Sequence, residues 1–464
     1  MTRFSKHLSG RFFLYLLIAI TSGCSTVPTH TTDKTASSAF NQPETTYLGK
    51  TAADIAADHN GESGFLLLDR GRDALSWRAI LADAAQKSID AQYFLWKDDE
   101  VGKVMMQRLL SAADRGVRVR VMIDDSMTEA DPEYLAMFSS HPNIELRLYK
   151  PFGPKHKSTI MRWIDYVADL KVLNRRMHNK LLVVDNRLAI VGGRNIGNEY
   201  FGLGKKYNFR DLDVLVVGEV LPDLSHAFDK YWNVDLSYPG SSMSDKAVPG
   251  DLDILRRELQ EYFVAHKDTL ASYPIEPKQW KDKMLELTED LITGKGDFIQ
   301  DKPVLIGEEE YRLTDMLAYI APPSAEELTI VSPYFIPKGK MLKRIGVLST
   351  EGVKVTLLTA SMASNHHTAA HSHYKKYRRR IIGAGAELFE FMSEPSAEVR
   401  AITDVPPVEA KFISLHTKAI VADRARCFVG SLNLDPRALA LNTENGLSID
   451  SPGLRGELAD FSDD

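Results

Sequence analysis

Two stretches decide the architecture: MHNKLLVVDNRLAIVGGRN at residues 177–195 and LHTKAIVADRARCFVGSLN at residues 415–433. The first spaces His178, Lys180, Asp185, Gly192, Gly193 and Asn195 as the second spaces His416, Lys418, Asp423, Gly430, Ser431 and Asn433. Between Lys and Asp lie four apolar residues, LLVV and AIVA, the composition of a short core strand. Strand side chains alternate faces, so His and Lys at i and i+2 point the same way. A neutral imidazole beside an ammonium suits phosphate chemistry: Lys holds non-bridging oxygens while His supplies a nucleophile or a proton.

Outward from these stretches the repetition continues. IDAQYF (89–94) and RGVRVRVMIDD (115–125) flank a helical stretch, as LTIVSPYF (328–335) and EGVKVTLLTAS (351–361) do later. Each set reads strand, helix, Gly turn, strand, the pattern of a parallel βαβ unit. IELRLY (144–149) and AELFEF (386–391) add matching strands. The offsets between the four landmarks are 241, 236, 242 and 238 residues. So nearly constant a shift predicts a tandem duplication of an α/β half, its sheet mixed or mostly parallel and covered by helices. The halves are expected at 61–245 and 296–464. Residues 246–295 (LRRELQEYF, KQWKDKMLELTEDLI) are charged and helix-patterned, a connector packed on the outside.

The paired blocks resemble the HKD motifs of the phospholipase D superfamily, over nearly all of residues 65–464. NRRMHNKLLVVDNRLAIVGGRNIGNEYF, FRDLDVLVVG and GSLNLDPRALALNTENG resemble the bacterial cardiolipin synthases most, and the export signal discussed below points to their C-type branch. The resemblance implies two halves related by a pseudo-twofold axis and one shared active site, with His178 and His416 on opposite sides of a phosphate. One histidine would form a phosphohistidine and the other would protonate the leaving alcohol, with His178 assigned as nucleophile and His416 as acid and base. Lys180, Lys418, Asn195, Ser431 and Asn433 would hold the phosphate. Glu444 would orient the histidine of the second half, and Asp211 or Glu199 that of the first. Asp185 and Asp423 belong to the motif, but seven residues of extended strand separate each from its His, which favours a junction role. Gly193 departs from the family pattern, where Ser is common. No metal or cofactor is implied, because the lysines supply the electrostatics of a cation. The implied substrates are phosphatidylglycerol and a donor, phosphatidylethanolamine or phosphatidylglycerol, at a membrane surface. A helper protein stays an open question. Hydrolytic phospholipases D and superfamily nucleases share the machinery.

Composition narrows the classes. The 464 residues are 44% hydrophobic and 26% charged, which excludes wholesale disorder and a polytopic membrane protein. With 57 Lys+Arg against 63 Asp+Glu, no basic surface wraps nucleic acid, and no nucleic-acid partner is expected. Cys24 and Cys427 alone cannot make a disulfide scaffold. Arg3, Lys6 and Arg11 precede an apolar run, Phe12 to Ile20, too short to span a bilayer and ending in Thr-Ser-Gly before Cys24. Residues 1–23 thus resemble a lipoprotein signal with Cys24 as the lipidated residue. The expected chain is exported and lipid-anchored to a bacterial membrane facing the periplasm. The Ser/Thr-rich residues 24–60 read as a flexible tether, and Cys427 as a small buried hydrophobe on a strand.

Three features stay open to two readings. His366, His367, His371 and His373 include an i,i+4 pair without an acidic or cysteine ligand nearby, so a zinc site is disfavoured. His371 is expected to line a headgroup pocket, as the corresponding loop does in cardiolipin synthases. YKKYRRR (374–380) is either a solvated helix face or a contact for anionic headgroups. KHKSTIMRWIDYVADLKVLN (155–174) is either an interfacial segment or a packed amphipathic one.

Overall fold

A computed structural model describes residues 34–58, 62–126, 128–129, 131–151, 175–240, 251–273, 280–303, 325–337 and 339–454. The signal segment, Cys24 and residues 155–174 lie outside the described residues. The strands of the first half are β1 (Ser63–Leu68), β2 (Ser88–Tyr93), β3 (Arg118–Asp124), β4 (Ile144–Tyr149), β5 (Leu181–Val184), β6 (Leu188–Gly192), β7 (Tyr207–Arg210), β8 (Asp213–Val217) and β9 (Ser237–Pro239). Those that follow are β10 (Ile292–Gln300), β11 (Glu327–Val331), β12 (Lys354–Ala360), β13 (Glu387–Phe391), β14 (Phe412–Leu415), β15 (Ala419–Ala422), β16 (Arg426–Gly430) and β17 (Asn445–Asp450).

One sheet runs β13-β12-β11-β15-β16-β17-β10-β1-β8-β6-β5-β2-β3-β4-β9. Read outward from its centre, β10-β17-β16-β15-β11-β12-β13 repeats β1-β8-β6-β5-β2-β3-β4, and the antiparallel pair β1–β10 lies on the pseudo-twofold axis. The sheet is mixed: β2-β3-β4 and β11-β12-β13 are parallel, and their other neighbours are antiparallel. The long parallel connections are helical, as parallel pairing requires. The second half therefore begins inside the expected connector, whose last residues, from Ile292, form β10. Before it, helices span Asp251–Ala265 and Trp280–Asp290, each burying a few apolar residues (Leu255, Leu259, Met284, Leu287) against the first half.

Period-2 alternation decides which residues meet. Leu182, Val184, Leu188, Ile190, Leu215 and Val217 join the helix-covered core of the first half. Leu181, Val183, Ala189, Val191, Val214 and Val216 face the other way, into a core shared with Val421, Cys427, Val429, Leu447 and Ile449. Strands buried on both faces are continuously apolar for this reason. Cys427 sits in that shared core, where burial raises its thiol pKa to about 12.

The tether expectation fails for its described part. Residues 47–58 form a helix that buries Leu48, Ala52 and Ile55 in the first core. The polar segment before it is docked: Arg120 and Arg147, buried on β3 and β4, donate to the carbonyls of Ser37 and Thr35. Buried guanidinium groups need acceptors beyond their carboxylate partners, and a Ser/Thr-rich strand of backbone supplies them.

Candidate active site

Each motif hairpin, β5–β6 and β15–β16, turns on two residues with positive φ, Asp185 and Asn186 (50° and 52°) and Asp423 and Arg424 (both 53°). Asp tolerates this left-handed conformation better than most residues. Its carboxylate then caps the incoming strand. Asp185 accepts from the N–H groups of Gln86, Lys87 and Ser88 at 3.0, 2.7 and 2.9 Å, and Asp423 from those of Glu326 and Glu327 at 2.8 and 3.1 Å. Their bonds place the motif acids at strand junctions, apart from the histidines. They fix the hairpins that carry His and Lys.

His178 and Lys180 lie in the extended link just before β5, and His416 and Lys418 in the link between β14 and β15, rather than inside the ladders. Two short parallel pairings seat them across the half boundary. β14 pairs with β7, Leu415 opposite Arg210, and Met177 bridges Thr443. The next residue on every strand is then a site residue. His416 N–H donates to Arg210 O at 2.8 Å and His178 N–H to Thr443 O at 2.9 Å. His416 Nδ1 thereby meets Asp211 Oδ2 at 2.6 Å, and His178 Nδ1 meets Glu444 Oε2 at 2.7 Å.

The orienting acids are thus crossed. Asp211 of the first half serves the second histidine, and Glu444 of the second half serves the first, the reverse of the in-half pairing expected. Glu199 orients neither; its carboxylate pairs with Lys97 Nζ at 2.9 Å. With both Nδ1 atoms engaged by carboxylates, both Nε2 atoms are left for a substrate phosphate. Lys180 Nζ donates to His178 O at 2.5 Å, and Lys418 Nζ donates to His416 O and lies 3.0 Å from His416 Nδ1. The four side chains are almost entirely buried.

Burial dominates the electrostatics. It lowers both histidines well below their ordinary value, with Lys180 and Lys418 adding to the effect. The imidazoles are therefore neutral, the form that can attack phosphorus. Burial also lowers Lys180 to about 7 and Lys418 to about 8, and raises Glu444 to about 8. Such a site is poised to gain from an anion, which would restore full charge to both lysines.

Asn433 Oδ1 is buried with no protein partner among the described residues. Asn195 is instead fixed by Leu95 N–H at 3.2 Å and the Tyr200 hydroxyl at 2.9 Å. Ser431 does not offer its hydroxyl to a phosphate: it donates to Glu444 Oε2 at 2.5 Å. The first half has no such room. A Cβ on Gly193 would lie 2.2 Å from Asp211 Oδ1, so the departure from Ser at this position follows from the placement of its acid.

Sequence reading missed several supports. Arg194, fully buried, donates to the carbonyls of Leu68, Asp69, Tyr200 and Asp211 and pairs with Asp213 at 3.4 Å, tying the Asp211 loop down. Phe94 packs edge-on to His178, and Tyr200 and Phe209 flank His416. From the histidine-rich loop it is His366 that reaches the site, 6.3 Å from the His416 ring between centroids. His371, the expected headgroup residue, packs edge-on to Tyr374. His366 precedes the helix Thr368–Tyr374, whereas His371 lies within it. No group of three or more metal-ligating side chains occurs among the described residues.

Comparison with known proteins agrees with this geometry. A family model described as "Cardiolipin synthase, PLD-like domain" matches residues 80–232 and 318–463. Cardiolipin synthase C of Escherichia coli K12 is 34% identical over 88% of this chain and 85% of its own. A cardiolipin synthase of Clostridium perfringens strain 13 is 25% identical over 88% of this chain and 69% of its own. Among solved structures, phosphatidylserine synthase of Haemophilus influenzae superposes with a TM-score of 0.55 at 15% identity, covering 87% of each chain, a likeness of fold. The chain belongs to the cardiolipin synthase family, an enzyme of phosphatidyltransferase type with its phospholipase D-like unit written twice.

Proposed function

We propose that the protein makes cardiolipin by transferring a phosphatidyl group onto phosphatidylglycerol. The carrying observation is one chain's convergence of two His–Lys pairs, each histidine held at Nδ1 by a carboxylate of the other half. His178 Nε2 attacks phosphorus in line, forming a P–N bond as the P–O bond to the donor's headgroup breaks. His416, which takes up a proton as the anionic phosphate enters the site, gives that proton to the departing alkoxide. It then removes the proton of the acceptor hydroxyl, whose oxygen attacks phosphorus and releases His178. Lys180 and Lys418 offset charge on the non-bridging oxygens. Asp211, 2.6 Å from His416, stabilises its cationic form, and Glu444, 2.7 Å from His178, holds that ring by its Nδ1.

The donor is phosphatidylethanolamine or phosphatidylglycerol. The reaction takes place at a membrane surface, with the chain exported and anchored through lipidated Cys24 on the periplasmic side. Arg3, Lys6, Arg11 and the apolar run before Cys24 support that placement. No helix among the described residues is long and apolar enough to cross a membrane.

Purified protein in mixed micelles with labelled phosphatidylglycerol, with and without phosphatidylethanolamine, tests the proposal by thin-layer separation of products. Labelled cardiolipin is the expected result. Phosphatidic acid alone would make the protein a hydrolase, and cleavage of single-stranded DNA without lipid turnover a nuclease.

A further inference from the structure

The flank of the site next to His416 carries a hydrogen-bonded chain with no counterpart beside His178 among the described residues. Tyr334 Oη lies 2.8 Å from His366 Nε2, His366 Nδ1 lies 3.2 Å from Ser414 Oγ, and Ser414 Oγ donates to Ser364 O at 2.7 Å. The position matching Ser414 in the first half is Arg176, which pairs with Asp124 instead.

The direction of this chain follows by elimination. A carbonyl only accepts, so the single proton of the buried Ser414 hydroxyl goes to Ser364 O. Ser414 Oγ must then accept from His366 Nδ1–H. Burial, with His367, Lys418 and Lys97 nearby, lowers His366 to about 3, so the ring holds one proton only and Nε2 is a bare lone pair. Tyr334 must therefore give its own proton inward, to His366. Its oxygen has no other hydrogen-bond partner among the described residues and is left with lone pairs alone.

Tyr334 is half-buried and stands where those lone pairs matter. It interacts electrostatically with Tyr207 of the first half and with Asp435, and Asp435 acts in turn on His178 and Lys418. Tyr207 stacks on His366 at 5.5 Å and Phe209 packs edge-on at 4.8 Å, closing a ring wall against His416.

We propose that Tyr334, held acceptor-outward by His366 and Ser414, recognises the headgroup alcohol on the His416 side through a second donor group on that alcohol. The class of ligand is a primary alcohol carrying a further hydroxyl or an ammonium, which is what a polyol or an amino-alcohol headgroup presents. A simple alkanol has nothing to give this oxygen. The assignment rests on the phosphatidyl-transfer reading above and on His416 as the residue that handles the alcohol.

The test is transfer from a labelled phospholipid donor, by purified full-length protein in micelles, to glycerol, ethanolamine or 1-propanol in competition with water. Wild type is expected to prefer glycerol or ethanolamine over 1-propanol. Tyr334→Phe is expected to lower that preference about five- to tenfold, the size of one hydrogen bond. His366→Phe, which frees the Tyr334 proton to point outward, is expected to do the same, and the double variant no more than either alone. The arm that collapses, glycerol or ethanolamine, tells a hydroxyl from an ammonium. A preference that survives in Tyr334→Phe overturns the subsite and leaves phosphatidyl transfer standing. Equal loss toward all three alcohols overturns it too, because a structural defect would not discriminate. Wild type that releases only phosphatidic acid removes the transfer reading and the subsite together.

Discussion

Gly193 offers the sharpest test of the crossed acid–histidine pairs. Substituting Ala adds one carbon, placed 2.2 Å from Asp211 Oδ1 and 2.8 Å from its Cγ. Non-bonded carbon and oxygen need about 3.2 Å, so the carboxylate must move by about 1 Å. The same carboxylate lies 2.6 Å from His416 Nδ1, and an added 1 Å takes that contact past hydrogen-bonding range. His416 then loses its tautomer and its aim. A displacement of that size at a reacting group costs on the order of 10²-fold, and loss of acid–base function up to about 10⁴-fold. Gly193→Ala should therefore lower kcat for cardiolipin formation by about 10²–10⁴-fold while far-UV circular dichroism stays native. Ser431→Ala is the matched control in the other half. It removes the hydroxyl's bonds to Glu444 and to the Asn445 backbone but moves neither acid, and should cost about tenfold or less. Gly193→Ala with a rate within about threefold of wild type, under 1 kcal/mol in the barrier, would refute the argument.

Further outcomes follow from the same structure. His416→Asn should still form a covalent phosphatidyl adduct with a p-nitrophenyl donor, whose leaving group needs no proton, while His178→Asn forms none. Adduct mapped to His416 reverses the assignment. Because burial holds Lys180 near 7 rather than 10.5, the folded chain binds fewer protons on it than the unfolded chain between those values, so stability rises with pH across that window. Lys180→Met should accordingly raise Tm most at pH 6 and progressively less toward pH 9, at the expense of activity, and a gain that grows with pH would contradict this. Asp185→Ala strips three backbone N–H groups of their acceptor and should lower unfolding free energy by about 2–3 kcal/mol in urea titrations; an unchanged midpoint would sink that role. EDTA should leave turnover intact, whereas loss restored by zinc would turn attention to the histidines between His366 and His373.

What the sequence disclosed was whatever repeats at short range. His and Lys two apart, the apolar tetrad after them and the Asp at its end are local patterns, and the structure seats both copies alike. The duplication was legible because the strands it repeats are buried on both faces and hence continuously apolar. The acid partners were not legible in the same way. Asp211 and Glu444 stand out only by offset, and which histidine each serves depends on contacts far apart in sequence: β7 beside β14, 205 residues away, for Asp211, and the Met177–Thr443 bridge for Glu444. The docking of residues 34–40 was hidden for a related reason: a polar stretch looks unfoldable until two buried arginines need its carbonyls. A run of histidines carries no mark of which member reaches the His416 link, so His366 and His371 look alike in the sequence.

The crossed pairing also limits how the two copies can drift. A recombination event that overwrote the first motif block with the second would put Ser at 193 while leaving Asp at 211. The new side chain would then collide with the very acid that the second histidine depends on. Through the crossed pairing, a conversion in one half would show as a defect on the other half's histidine.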